Sequence, residues 1–298
     1  MARKKMSYRI WRISHLLTYL VFPITLIHTI KIGTYFSSIF ISTYIYVIFS
    51  LFILIVLYKF LHFASILGNR YVITKIEDIN SEIYLVHLKP TIKKIKIKGG
   101  QFIQLRLNPF GESHPFSVLD FDETTGEIAL GIKKVGKFTN QLKQLKEGSF
   151  VNIDVGYGVF TKEAYNTQNK RIVLVAGGIG ITPFISYLKY ISQAHNNYEE
   201  VFLFFANRNL SSISFMEYLN SLSIPNLKVV FCFSDEENDH PYEKGRVNVI
   251  LMNKYLSYST SNYQYYICGP EGMMNSLAKD LELNGVDKAN IFKEEFGW

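Results

Sequence analysis

Two long apolar runs near the amino terminus, residues 10–30 and 39–63, constrain this chain more than anything else in it. Each is about as long as the roughly twenty residues a helix needs to cross a bilayer. A cleaved signal peptide would also follow a basic start such as Met1 to Lys5. Arg9, Arg12 and two histidines break any clean apolar core, however, and no small-residue cleavage site precedes Lys31. The runs are therefore expected to form a retained transmembrane helical hairpin, residues 1–68. Five Lys and Arg lie between Ala2 and Arg12, none lies in the connector 33–38, and Arg70 and Lys75 follow the second run. The positive-inside rule then predicts a two-pass protein of the cell membrane, with both termini and everything after the hairpin in the cytoplasm.

The remaining residues carry a different pattern. Short strands are expected over 71–76, 83–88, 101–107, 128–133 and 150–155, separated by turn residues such as Gly99-Gly100, Asn108-Pro109 and Thr124-Thr125-Gly126. Many short strands at that spacing predict an antiparallel β-barrel. From residue 171 strands alternate with helices: strands at 171–176, 201–206, 228–233 and 265–268, helices at 183–194, 214–221 and 272–284. That alternation predicts an α/β parallel sheet covered on both faces. The polar stretch 161–169 separates the patterns, which gives domains over 69–163 and 164–298. A net charge of +7 raises nucleic acid as a partner, but the Lys and Arg are scattered through alternating strands rather than gathered in a basic, aromatic stripe, so no nucleic acid is expected. Cys232 and Cys268 stand far apart without metal-type spacing, which argues against a disulfide framework or a zinc site and suits a reducing compartment.

The clearest chemical signal is Val173-Leu174-Val175-Ala176-Gly177-Gly178-Ile179-Gly180-Ile181-Thr182-Pro183, a buried strand running through a glycine turn into a helix. Glycines admit a ligand close to the backbone, and a helix start favours a phosphate anion. A tight structural turn would read the same way. Ile267-Cys268-Gly269-Pro270 ends the last expected strand, and ligands bind at strand carboxyl ends in open sheets, although a buried Cys there can equally be core. His114-Pro115-Phe116-Ser117 reads as a turn entering a strand, and Gly136-Lys137-Phe138-Thr139 as a strand-to-helix loop that Thr139 can cap.

Taken in order, these segments resemble the ferredoxin-NADP reductase superfamily, specifically the flavin and nicotinamide half of the ferric reductase and NADPH oxidase family. The resemblance runs from about residue 70 to Trp298. It implies FAD and NADPH (or NADH) as cofactors, with Phe116 against the flavin ring, Ser117 near the flavin N5 and His114 with Pro115 by the ribityl or pyrophosphate portion. Gly136, Phe138 and Thr139 would hold the FAD pyrophosphate. Gly177, Gly178, Gly180, Thr182 and Pro183 would bind the nicotinamide nucleotide, with Cys268, Gly269 and Pro270 beside its reactive carbon. Trp298 would be the terminal aromatic that covers the flavin, and Glu295 would belong to the same catalytic cluster as Ser117, Cys268 and Trp298. Many members have Arg where this chain has His114, so a phosphate clamp is missing or comes from elsewhere. Arg208 could meet the 2'-phosphate of NADPH, or be a solvated loop residue.

The hairpin extends the resemblance. Residues 8–15 and His28 look like the family's fifth spanning helix, whose two histidines ligate haem b, and roughly 20 Å along one helix axis would separate His15 from His28. The opposing ligands normally come from a third helix, so a second membrane subunit or a second copy of this chain would have to complete the haem sites. An interfacial role for both histidines stays open. The resemblance implies a membrane-anchored NAD(P)H-dependent oxidoreductase passing electrons to haem, ferric iron or oxygen. Two alternatives stand beside it. One is a cytoplasmic-side flavin reductase that uses the helices only as an anchor and reduces a soluble carrier, quinone or ferric chelate. The other is a non-catalytic accessory subunit, against which the intact glycine turn, Thr139, Cys268 and Trp298 speak.

Overall fold

The computed structural model describes residues 8–32, 38–63, 69–108, 111–158, 160–165, 171–193, 198–224, 226–235 and 242–294. The chain divides into two compact units, residues 1–66 and 67–298.

The first unit contains two helices, α1 (Tyr8–Ile32) and α2 (Ile39–Phe63). Phe22 of α1 packs its ring against those of Phe49 and Phe52 of α2, with centroids 6.3 and 4.8 Å apart, while Lys59 donates to the Tyr19 hydroxyl at 2.7 Å. These contacts run in opposite directions along the two helices, so the pair is an antiparallel hairpin. Thr25, Thr29, Ser42 and Ser50 each donate their hydroxyl to a backbone carbonyl three or four residues earlier, which satisfies polar groups an apolar surrounding would penalise. Among the described residues one helix, over Ile39–Leu61, is long and apolar enough to cross a membrane, whereas the apolar part of α1 is the shorter Tyr19–Lys31. His15 and His28 both lie on α1, His28 with an exposed side chain; the His15 side chain is outside the described residues.

The second unit opens with a closed antiparallel barrel of order β1-β2-β5-β4-β3-β6. Its strands are β1 (Asn69–Asp78), β2 (Ile83–Pro90), β3 (Phe102–Arg106), β4 (His114–Phe121), β5 (Ile128–Lys133) and β6 (Phe150–Ile153), with helix α3 (Lys137–Lys143) between the last two. Alternation along each strand sends Tyr71, Ile73, Tyr84, Val86, Ile103, Leu105, Val118, Leu130 and Val151 into one core. A six-stranded parallel sheet follows, of order β10-β9-β8-β7-β11-β12. Its strands are β7 (Arg171–Gly177), β8 (Glu200–Asn207), β9 (Leu227–Phe233), β10 (Glu243–Lys244), β11 (Gln264–Cys268) and β12 (Ile291–Glu294). The helices are α4 (Thr182–Gln193), α5 (Met216–Asn220), α6 (Val249–Met252) and α7 (Glu271–Leu283). Near-continuous apolar strands such as Ile172–Ala176 and Val201–Phe205 are buried on both faces, and separate cores form on the two sides.

Barrel and sheet meet along α4. The turn at Gly99 and Gly100 docks on that helix: the Gly100 amide donates to the Ser186 hydroxyl at 2.9 Å, while Thr161 (3.0 Å) and Tyr165 donate to the Gly99 carbonyl. A Cβ on Gly99 would sit 2.5 Å from the Ser186 carbonyl oxygen, and Gly100 has φ +80, so neither position accepts a side chain without displacing the turn. A second contact places the Phe215 ring where a Cβ on Gly131 would lie, and an ion pair links Lys189 to Asp120.

Candidate functional site

β4 places Ser117 on the rim of this seam. The alternation of the strand turns Phe116 and Val118 into the barrel, whereas Ser117 and Leu119 face the other way, Leu119 into the core beneath α4. Ser117 is buried, and its hydroxyl has no hydrogen-bond partner among the described residues. A buried hydroxyl left unpaired costs about 1–3 kcal/mol, so such a group points to a ligand. Phe116 is only 6% exposed, and its ring lies parallel to that of Phe138 at 5.9 Å. The His114 ring follows at 4.0 Å from Phe138, which makes a column of three rings between β4 and the start of α3. Partial burial holds the His114 imidazole below its ordinary range, with Glu112 only partly offsetting the effect, so near neutral pH His114 is a neutral hydrogen-bonding group rather than a cation.

At the start of α3, Thr139 has its hydroxyl fully engaged. It accepts from the amides of Val135 and Gly136 and donates to the Gly136 carbonyl, all at 3.1 Å, while Tyr84 donates to the Thr139 carbonyl at 2.6 Å. Thr139 therefore shapes the turn, and the space for a ligand lies over Gly136, where an added Cβ would meet nothing within 4 Å. Lys137, the first residue of α3, is exposed and has no acidic partner among the described residues. It stands where a charge could replace the one His114 lacks, a role that sequence spacing did not single out.

The glycine turn after β7 divides by function. A Cβ on Gly180 would lie 2.3 Å from the Cys268 carbonyl oxygen, one on Gly177 2.8 Å from Pro270, and one on Gly269 2.7 Å from Met273. These three glycines let the loops after the neighbouring strands β7 and β11 touch. Gly178, at φ +53, alone among them faces open space, with nothing within 4 Å of an added Cβ. Thr182 caps the turn by donating to the Ile179 carbonyl at 3.1 Å, and Pro183 enters α4 directly after it. Arg208 is exposed just past the end of β8.

Cys268, at the carboxyl end of β11, is fully buried, and burial pushes its thiol well up, so it is a neutral group. Its register neighbours are Ala176 and Glu294. Glu294 is the residue that sequence reading missed. It is half-buried at the end of β12, its Oε2 is enclosed without a partner among the described residues, and burial raises its carboxyl to about 7. Its Oε1 lies 3.6 Å from where a Cβ on Gly158 would be, and that same position is 3.2 Å from the Phe102 ring, directly across from Ser117 in the β3–β4 pairing. The sheet thus delivers a protonatable group beside β3, the barrel strand that neighbours the one carrying Ser117. Glu295 and Trp298 lie outside the described residues.

Residues 69–182 match a family model described as an FAD-binding domain, and residues 174–279 match one described as an oxidoreductase NAD-binding domain. Over 204 residues the chain is 32% identical to a Pyrococcus abyssi protein named probable dihydroorotate dehydrogenase B (NAD(+)), electron transfer subunit, across 68% of this chain and 70% of that one. It is 25% identical over 231 residues to the plasma membrane-associated coenzyme Q6 reductase PGA3 of Saccharomyces cerevisiae, across 73% of each. A solved ferredoxin NADP+ reductase from Neisseria gonorrhoeae with bound FAD and NADP shares the fold, with a TM-score of 0.65 at 18% identity over 76% of this chain and 97% of that one.

Proposed function

Because the chain belongs to the ferredoxin-NADP reductase superfamily, as an oxidoreductase with FAD- and NAD-binding domains, we propose that it is a membrane-anchored reductase that takes hydride from NAD(P)H and delivers electrons singly to haem, ferric iron or oxygen. In this reading residues 1–68 form a two-pass anchor, 69–163 the FAD domain and 164–298 the nicotinamide domain. The observation that carries it is the pair of enclosed oxygens without a partner among the described residues, Ser117 Oγ and Glu294 Oε2, brought to one seam by barrel and sheet.

Bound FAD supplies the change from two-electron hydride chemistry to one-electron transfer. The protein's part is position and protons. Ser117 donates its free hydroxyl to the flavin, the rings of Phe116, Phe138 and His114 bound the flavin site, and Lys137 with the open turn at Gly136 receives the pyrophosphate. Gly178 and the start of α4 receive the nicotinamide nucleotide, while Arg208 favours NADPH through its 2'-phosphate. Glu294, close to half-protonated near neutral pH, holds or releases a proton at Oε2 without a large driving force in either direction. Cys268 closes the floor of the site as a neutral, packed thiol.

A second reading places the helices as an anchor only, with a quinone as acceptor. It draws on the similarity to the yeast membrane-associated quinone reductase. An absorption spectrum of the detergent-purified chain, recorded before and after anaerobic NADPH with a His28→Ala variant alongside, separates the readings. Flavin bleaching with a shifted Soret band that the variant lacks supports haem at His28. Flavin bleaching without haem supports the anchor reading, and a folded chain with no flavin overturns both.

A further inference from the structure

Beside the start of β1 the barrel carries a surface that the redox chemistry leaves unused. Residues 89–98 read Lys-Pro-Thr-Ile-Lys-Lys-Ile-Lys-Ile-Lys, with five lysines and no acid. Ile95 and Ile97 turn toward the barrel core, so Lys94, Lys96 and Lys98 alternate outward. Ile92, at the bend of the segment, is 97% exposed. Lys89 pairs with Glu127, and Lys94 is held by the carbonyls of Glu123 and Thr124. Lys93, Lys96 and Lys98 have no acidic partner among the described residues.

The place of this segment gives it meaning. Thr91 donates its amide (3.0 Å) and its hydroxyl (2.8 Å) to the Arg70 carbonyl, so Ile92 and Lys93 run alongside the point where the chain enters the barrel. Val155, 54% exposed, belongs to the same end, two residues past the Ile153 that pairs with Asn69. Arg70 itself is exposed, its guanidinium 3.8 Å from the centre of the Phe150 ring. Phe63 ends α2 and Asn69 opens β1. At about 3.8 Å per residue, the chain between them reaches no further than about 23 Å. The carboxyl end of α2 is therefore within that reach of Asn69, where the chain enters the barrel.

We propose that Ile92 and Val155, ringed by Arg70, Lys93, Lys96 and Lys98, form a lipid-contact surface that seats the barrel on the anionic leaflet from which α2 emerges. The inference rests on the reading of α2 as a bilayer-spanning helix. Long lysines keep their ammonium groups among lipid phosphates while their stems and the isoleucine enter the apolar boundary. Unpaired basic residues next to a spanning helix are attracted to an acidic leaflet. An acidic protein would meet the same lysines, but a lone isoleucine projecting among flexible cations fits a soft interface better than a shaped pocket.

The two cysteines of the chain are both buried, so a cysteine introduced at position 92 takes an environment-sensitive dye selectively. Full-length Ile92→Cys carrying the NBD fluorophore is reconstituted into nanodiscs of phosphatidylcholine, with or without phosphatidylglycerol, beside a Leu283→Cys control on α7, which is 77% exposed. The expected result is a blue-shifted emission and a roughly twofold rise in intensity at position 92 in the anionic discs, as water leaves the probe. The signal should be lost in the combined Lys93→Glu, Lys96→Glu, Lys98→Glu variant and absent at position 283. Water-like emission at position 92 in both lipids overturns the proposal, as does a shift that survives the charge reversal. Alkaline carbonate extraction of the same samples keeps the two readings apart. A chain that stays in the bilayer with a silent probe loses only the lipid-contact surface, whereas a chain stripped into the supernatant loses the anchor reading as well.

Discussion

Replacing Glu294 by Gln should make the protein more stable in alkaline solution and leave it nearly unchanged in acid. The carboxyl titrates at about 7 in the folded chain against an ordinary 4.5, and burial is the cause. Below pH 4.5 the folded and unfolded chains both hold the proton. Between 4.5 and about 7 the unfolded chain gives it up while the folded chain keeps it, so stability falls as pH rises through this window and stays low above it. Each pH unit of that gap is worth about 1.4 kcal/mol, which sets a ceiling of about 3.5 kcal/mol, and about 1–2 kcal/mol is expected once residual solvent access is allowed for. The glutamine amide has no charge to bury and keeps a similar shape. Thermal unfolding of the full chain in mild detergent, followed by circular dichroism at pH 5.5, 7 and 8.5, should show the variant gaining on the parent as pH rises. Parallel curves for the two proteins across that range, or a variant that loses ground at pH 8.5, would refute the argument from burial.

Four further substitutions probe separate parts of the site. Ser117→Ala should slow reduction of the flavin by NADPH on the order of 10²-fold in stopped-flow absorbance while the flavin stays bound, and an unchanged rate removes Ser117 from the reaction. Lys137→Ala should weaken FAD about tenfold or more in a flavin-fluorescence titration, as the loss of a charge-assisted contact does; equal affinity means the pyrophosphate is held elsewhere. Arg208→Ala should raise the KM for NADPH about tenfold and leave that for NADH alone, whereas an equal effect on both makes Arg208 a solvated loop residue. Gly99→Ala drives a Cβ to 2.5 Å from the Ser186 carbonyl, so it should cost about 1–3 kcal/mol and misalign the lobes, read as a lower Tm together with slower hydride transfer. Full activity in that variant would show that the turn does not set the seam.

Much of the architecture was legible because apolar periodicity follows directly from which faces are buried. The alternating barrel strands and the doubly buried strands 171–176 and 201–206 lie within two residues of where their patterns put them. β4 was harder, since His114-Pro115-Phe116-Ser117 read as a turn entering a strand, yet the chain is extended from His114 onward because Pro115 can sit at a strand start. β12 escaped altogether. Four residues ending in one glutamate and followed by another show no period, and only pairing with β11 makes them a strand, so Glu294 could not be told from its neighbour Glu295. The glycine motif was visible as a motif but not as two functions: that Gly177 and Gly180 serve the contact with the loop after β11 depends on which strands are neighbours. Likewise the capping role of Thr139 was legible, whereas the three hydrogen bonds that occupy its hydroxyl depend on how the turn folds.

The pairing of β1 with β6 that closes the barrel has a bearing on synthesis. Tyr71 faces Val151, so about eighty residues must emerge from the ribosome before the ring can shut. At about 5–20 residues per second that interval lasts roughly 4–16 s. Throughout it β1 is paired with β2 along one side only, and its other edge is a template for any passing strand. Distant pairings of this kind are also slow to form in themselves. The nascent barrel is therefore exposed at the stage when crowding by neighbouring chains is most hazardous, and chaperone demand should be greatest before β6 is made.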